Sequence, residues 1–268
     1  MGEARQRSFA SPHVLVTIKD SRLKESSGVA PSQLDANAFY THNDSGDSPR
    51  FFKFVRSGKI LKEYKLRDAK NLDWEDMASA TLGGKPYLFI GDIGDNAGRR
   101  QSITVYRVAE PTGSKARVDQ TYTLTYPDEP HNAETLLVHP STGDITIVTK
   151  ASLHPQGIYY LPRPRRSGAY VLKKIGDISI DSNMRAGKLI TGGAWSQDGK
   201  HVVLRTYFAG YEFPGDDPMH WFEKSFVNVP TNLEFQGEAI TYTLDGKALI
   251  TTSEGSPCPV SEIPIEGS

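Results

Sequence analysis

The chain has 268 residues and a formal net charge of −1 at pH 7. That balance excludes a global field for nucleic acid or anionic lipid, and no apolar run approaches the ~20 residues of a membrane span. One cysteine, Cys258, excludes an intrachain disulfide and a multi-thiolate zinc site, while 24 glycines and 17 prolines among many β-formers point to short strands and turns.

The N-terminal MGEARQRSF lacks an apolar signal core, so a secreted or periplasmic location requires a leader already removed. The next segment, His13 to Lys19, is predicted to be a strand without a local partner. Five short segments then share one pattern: Ser27-Gly-Val-Ala, Glu75-Asp-Met-Ala, Glu134-Thr-Leu-Leu, Gly193-Ala-Trp-Ser and Glu238-Ala-Ile-Thr. Each leads through a Gly-, Asp-, Asn- or Pro-rich turn into a β-rich run: Ala38-Phe-Tyr-Thr, Tyr87-Leu-Phe-Ile, Ile145-Thr-Ile-Val, Val202-Val-Leu-Arg and Ala248-Leu-Ile-Thr.

Third strands are predicted at Phe51 to Val55, Ile103 to Val108, Gly157 to Leu161, around His220 to Phe222, and at Val260 to Ile265. Fourth strands are predicted at Ile60 to Leu66, Thr121 to Tyr126, Tyr170 to Ile175 and Ser225 to Val229. Longer loops are expected at Asp177 to Lys188 and Phe208 to Met219. The fifth unit runs out of chain before its fourth strand, and the unpaired N-terminal strand supplies what it lacks. This arithmetic predicts an all-β, five-bladed β-propeller in one domain over 1–268. Its blades span about 25–68, 72–127, 131–180, 190–230 and 236–266, with closing strand 12–19. Trp74 and Trp195 are expected to pack between blades.

In a propeller, the first strands line a central channel and the loops leaving the second strands open on the same face. Ser27, Glu75, Glu134 and Glu238 are therefore expected around the channel, with Gly193 as the exception. Three glutamates in a narrow channel repel unless some are protonated or a cation sits among them. Oxygen ligands without thiolate favour a hard ion, so these four residues are the expected metal ligands and Ca2+ the expected cofactor, other divalent cations being open. His42, Asp44, Asp92 and Asp95 are the candidate catalytic residues, with His42 as a general base oriented by Asp44 or Asp92. Lys150, Arg205, Tyr207, His131 and Asn43 are the candidate substrate contacts, and three cations at the mouth, His42, Lys150 and Arg205, suggest a small anionic substrate. Neither nucleic acid nor membrane is an expected partner, and a monomer is expected. The Arg163, Arg165 and Arg166 cluster reads as a solvated loop, and Cys258 as a turn-side filler.

The segments His42 to Asp47 (HNDSGD), Asp73 to Ala78 (DWED followed by Met77 and Ala78) and Gly91 to Asn96 (GDIGDN) resemble a largely uncharacterised group of bacterial propeller proteins. That group is related loosely to the phytase-like and SdiA-regulated groups. The architecture also resembles that of the calcium-activated nucleotidases, five-bladed propellers with a central calcium. That resemblance implies that Ser27, Glu75, Glu134 and Glu238 hold the ion. The function expected is a metal-dependent, calcium-type hydrolase of a phosphate ester or other ester. The alternatives are a glycoside hydrolase with paired carboxylates, or a non-catalytic binding propeller.

Overall fold

In the computed structural model, which describes residues 7–151, 154–234 and 236–267, five small, mainly antiparallel sheets form a five-bladed propeller with almost no helix. Strands β1 (Ser8–Phe9) and β2 (His13–Ile18) come first in the chain but belong to the last blade. Blade 1 is β3 (Ser26–Pro31), β4 (Ala38–Asn43), β5 (Arg50–Val55) and β6 (Ile60–Lys65). Blade 2 is β7 (Trp74–Leu82), β8 (Lys85–Asp92), β9 (Ile103–Ala109) and β10 (Val118–Thr125). Blade 3 is β11 (Ala133–Val138), β12 (Ile145–Thr149), β13 (Gln156–Leu161) and, after a detour through β14 (Gly168–Val171), β15 (Lys173–Ile178). Blade 4 is β16 (Ile190–Trp195), β17 (His201–Thr206), β18 (Gly210–Pro214) and β19 (Val227–Val229). Blade 5 is β20 (Gly237–Tyr242), β21 (Ala248–Ser253) and β22 (Cys258–Glu266), completed by β2, with β1 pairing further along the same β22 edge.

The core is divided among the blade interfaces. Five buried apolar clusters each join two neighbouring blades, from the Trp74–Tyr40–Met77 group between blades 1 and 2 to the Ile18–Phe39–Val260 group between blades 5 and 1. A blade is apolar on both faces for this reason, so its central strands read as near-continuous hydrophobic runs. Trp74 and Trp195 are buried at such interfaces, as expected. The innermost strands β3, β7, β11, β16 and β20 neighbour one another in a closed ring.

Every blade carries the same irregularity. The ladder between its first and second strands slips by one residue at Ser27, Glu75, Glu134, Thr191 and Glu238. Such a β-bulge bends its strand and re-aims one side chain. The five bulged residues are structural equivalents, and this corrects the expectation for blade 4, whose equivalent is Thr191 and not Gly193. The signal was present: Ser27-Gly28 and Thr191-Gly192 are the matching pairs, hydroxyl then glycine. A Cβ on Gly28 would stand 2.7 Å from Met77 N, and one on Gly192 2.4 Å from Glu238 O. At both positions the first strand runs too close to the next blade for any side chain.

Three further expectations are corrected. The third strand of blade 4 is β18, inside the segment read as a loop, because Gly210–Pro214 pairs in register with β17. Trp221 and Phe222, placed in the predicted strand, belong to a 3₁₀ turn, Trp221–Glu223, whose Trp221 is buried against Phe213. The segment predicted as one strand from Tyr170 to Ile175 is split between two blades. Tyr122 to Thr125 of β10 pair in parallel with β14, while β15 pairs antiparallel with β13.

Candidate functional site

The bulges and the antiparallel ladders fix two stacked rings at one end of the channel. The lower ring is the bulged set, Ser27, Glu75, Glu134, Thr191 and Glu238. The upper ring is the first residue beyond the end of each second strand: Asp44, Ile93, Lys150, Tyr207 and Glu254. The equivalence follows from register, since the last paired residues are Asn43, Asp92, Thr149, Thr206 and Ser253.

The hydroxyls of the lower ring are spent on the scaffold. Ser27 Oγ donates to Glu75 O at 2.6 Å and Thr191 Oγ1 to Gly237 O at 2.8 Å, stitching blade 1 to 2 and blade 4 to 5. The three glutamates are the chemical part of that ring, and each is no more than 5 % exposed. Lys150 reaches down to Glu134 in an ion pair and donates to Tyr207 OH at 2.7 Å. Burial disfavours the Lys150 ammonium, but Glu134 and Glu238 outweigh it and hold its pKa above the ordinary lysine value. Lys150 therefore stays charged and is not a base.

One ammonium does not neutralise this mouth. Burial pushes Glu134 up to about 8 despite Lys150, with Glu238 adding repulsion, and its Oε2 is buried without a partner. Glu75 is raised well above the carboxylate range by burial and by Glu134, Asp44 and Asp73. Burial, then Asp44, puts Asp73 at about 6. Burial and Glu238 put Glu254 at about 7. Tyr207 is raised to about 12, first by burial and then by Glu238, and remains a neutral donor.

Asp44, Asp73 and Glu75 form the tightest group, each offering a carboxylate oxygen within 4.8 Å of the others. Asp73 was visible in the DWED segment but was not chosen as a site residue. Its position has a clear local cause: its backbone oxygen accepts from Ile93 N and Gly94 N at 3.1 Å, and its N donates to Asp92 Oδ1 at 3.1 Å.

The other candidates take different places. Asp92, 1 % exposed, is ion-paired to Arg100 at 2.8 Å, and Asp95 Oδ2 accepts from Arg100 N at 2.7 Å. Both acids brace the loop that carries Gly94 through Arg100. Asn43 is a clamp: its Oδ1 accepts from Lys24 N and Glu25 N, and its Nδ2 donates to Arg22 O and Asp47 Oδ2. Of HNDSGD, Asp44 alone joins the acidic group.

His42 and Arg205 lie two residues deeper than the upper ring and are fully buried. His42 packs edge-on against Trp74, with Nδ1 3.0 Å from Asn43 O, and burial lowers its pKa to about 4. It is a neutral core imidazole, not a base at the mouth. Arg205 donates to Ala239 O, Thr252 O and Glu234 Oε2 at 3.0, 3.3 and 2.9 Å, so its guanidinium locks blade 4 to blade 5 and offers no face to an anion. His131 sits on the outer rim, with Nε2 3.0 Å from Asp128 Oδ1 and 2.7 Å from Tyr159 OH, beside a cleft of about 340 Å3. Cys258 is buried, donates to Ser253 O at 3.3 Å, and has its thiol pushed up to about 11 by burial, as suits a filler residue.

No protein-family model matches the sequence, and no curated protein matches it. Among solved structures the chain is similar to the glutaminyl cyclase of Myxococcus xanthus. The two share 11 % identity and a TM-score of 0.58 over 98 % of each chain. At that identity the likeness shows the fold, a propeller of the same extent.

Proposed function

We propose that the protein is a divalent-cation-dependent hydrolase acting on a phosphate ester or other ester at the mouth formed by the two rings. One observation carries the reading: Asp44, Lys150, Tyr207 and Glu254, from four blades, occupy equivalent positions above Glu75, Glu134 and Glu238. A scaffold needs no such convergence of unneutralised acids, and pKa values pushed apart in one cleft are the arrangement acid–base chemistry requires.

Roles follow from the geometry. Lys150, fixed by Glu134, and the neutral Tyr207 hydroxyl are paired donors for an oxygen of the substrate that gains negative charge in the transition state. Glu254, near neutrality and half-buried, accepts a proton from the attacking water and returns it to the leaving alcohol as the ester bond breaks. A divalent cation among the carboxylates supplies a Lewis acid for the substrate oxygen and a lowered pKa for water. The unneutralised Asp44, Asp73 and Glu75 fit such an ion, and calcium suits oxygen ligands of this kind.

A second reading rests on the excess of acid over Lys150, which suits a cationic substrate, and on the fold shared with a glutaminyl cyclase. In cyclisation of a glutaminyl residue, an amine attacks the side-chain amide carbon and ammonia leaves. Glycoside hydrolysis is disfavoured, because Glu75, Glu134, Glu238 and Asp92, at 1–5 % exposure, leave no open cleft for a pyranose between paired carboxylates.

The test is turnover on phosphomonoester, phosphotriester, lactone and glutaminyl-peptide substrates, with and without chelator. Ester hydrolysis lost on chelation and restored by calcium is expected. Turnover of the glutaminyl peptide alone would move the function to the second reading.

A further inference from the structure

The sequence placed a cation on the channel axis, among Ser27, Glu75, Glu134 and Glu238. The side chains are arranged for a different position. Ser27 Oγ is committed to Glu75 O, and Glu134 is committed to Lys150. An ion at the centre of that ring would also stand next to the Lys150 ammonium. Off the axis, between blades 1 and 2, Lys150 and Arg100 act on the acids only at longer range. Asp44, Asp73 and Glu75 converge with no cation paired to any of them, and among the described residues no donor reaches the carboxyls of Asp73 or Glu75. Oδ1 of Asp44 is buried without a partner. Glu75 is itself only 5 % exposed, so its unpaired carboxyl is held inside the protein. An unpaired buried carboxylate costs several kcal/mol unless it is neutralised.

A second observation concerns the floor of the group. Gly94 passes directly beneath it: a Cβ there would stand 2.3 Å from Glu75 Oε1 and 2.4 Å from Asp73 Oδ2. The backbone conformation at this residue lies outside the left-handed region, so glycine is required here for space and not for its φ. Arg100, which holds Asp92 and Asp95, also donates to Gly94 O at 2.7 Å and so fixes this floor. Asp92 and Asp95 thus take their donors from Arg100, while among the described residues none reaches the carboxyls of Asp73 or Glu75.

We infer that Asp44, Asp73 and Glu75, seated on Gly94, form a calcium site off the channel axis, deepening the hydrolase reading by locating the cation on which it rests. One oxygen from each of the three lies within 4.8 Å of the others, a span that one ion's coordination sphere covers, and calcium accepts an irregular all-oxygen shell where magnesium demands a near-ideal octahedron and keeps its waters. Three carboxylates without histidine or thiolate also exclude a soft-metal preference. The site leaves Lys150, Tyr207 and Glu254, from blades 3, 4 and 5, to handle substrate.

Calorimetric titration of the full chain with CaCl2 and MgCl2, together with thermal melts, tests this without any substrate. Calcium is expected to bind with about one-to-one stoichiometry, more tightly than magnesium, and to raise the melting temperature. Asp73→Asn and Gly94→Ala are each expected to weaken calcium at least about tenfold. Asp73→Asn should melt at or above the cation-free wild type, since it removes an unpaired charge and no hydrogen bond. Glu238→Gln, on the axis, is expected to bind calcium within about twofold of wild type. Absence of calcium binding by the wild type, unchanged binding by Asp73→Asn, or loss in Glu238→Gln alone would overturn the site. Binding here without ester turnover would overturn the hydrolase reading and leave the site standing.

Discussion

Two cations of the upper face show how little residue type alone decides. Arg205 lies within the second strand of its blade and Lys150 just beyond the second strand of its own, and both face carboxylates. Arg205 is 0 % exposed, ion-paired to Glu234 and bonded to two backbone oxygens of blade 5. Removing it leaves Glu234 and those carbonyls buried without partners, so Arg205→Ala is expected to destabilise the protein by about 3–5 kcal/mol in denaturant titrations. Lys150 differs because its partner can titrate. With the ammonium gone, Glu134, already at about 8, takes up a proton and the uncompensated charge disappears. Lys150→Met is therefore expected to cost only about 1 kcal/mol of stability while lowering kcat/KM by about a hundredfold. Equal destabilisation by the two variants would place Lys150 in the scaffold.

At the scale of elements, the blade pattern was legible because each first strand repeats one bulge, and three of the five bulges carry glutamate. Four of the five lower-ring positions follow from the sequence. Blade 4 slipped by two residues because its Thr-Gly-Gly run carries no acid, and its glycines serve close packing. The polar upper ring was only partly legible. Asp44, Lys150 and Tyr207 were found, but they were grouped with His42 and Arg205, which lie two residues away and point between blades. No local rule separates those positions; the pairing of Asn43 with Ser26 and of Thr206 with Ile190 does. Asp73 went unchosen because its role depends on Gly94, a contact across the hairpin. Close packing of the first strands gives a direct test. A Cβ at Gly192 meets Glu238 O at 2.4 Å, whereas one at Gly113 meets nothing within 4 Å. Gly192→Ala is expected to lose about 1–3 kcal/mol, and Gly113→Ala to stay within about 0.5 kcal/mol, in the same unfolding assay.

For the whole molecule, the decisive feature is that the ring is closed by the beginning of the chain. Each blade interface holds its own apolar cluster, so a propeller resembles a short repeat array bent until its ends meet. Without closure, blade 5 would present the backbone of β22 as an open edge, and the cluster between blades 5 and 1 would lose Ile18 and the packing of Leu15 and Val16. An exposed edge of that length also invites intermolecular pairing. The mouth depends on closure as well, since Glu238 and Glu254 of blade 5 must face Asp44 of blade 1. Deleting residues 1–18 is therefore expected to remove on the order of 5 kcal/mol or more, comparable with the whole stability of an ordinary domain. Broadened, concentration-dependent unfolding should accompany it, together with loss of calcium-induced stabilisation. Adding the segment back as a peptide should restore part of the transition, because the β22 edge it covers is preformed. A truncated chain that unfolds at the wild-type midpoint would show instead that blades 1 to 4 carry the stability, with the closing strand serving only as an edge cover.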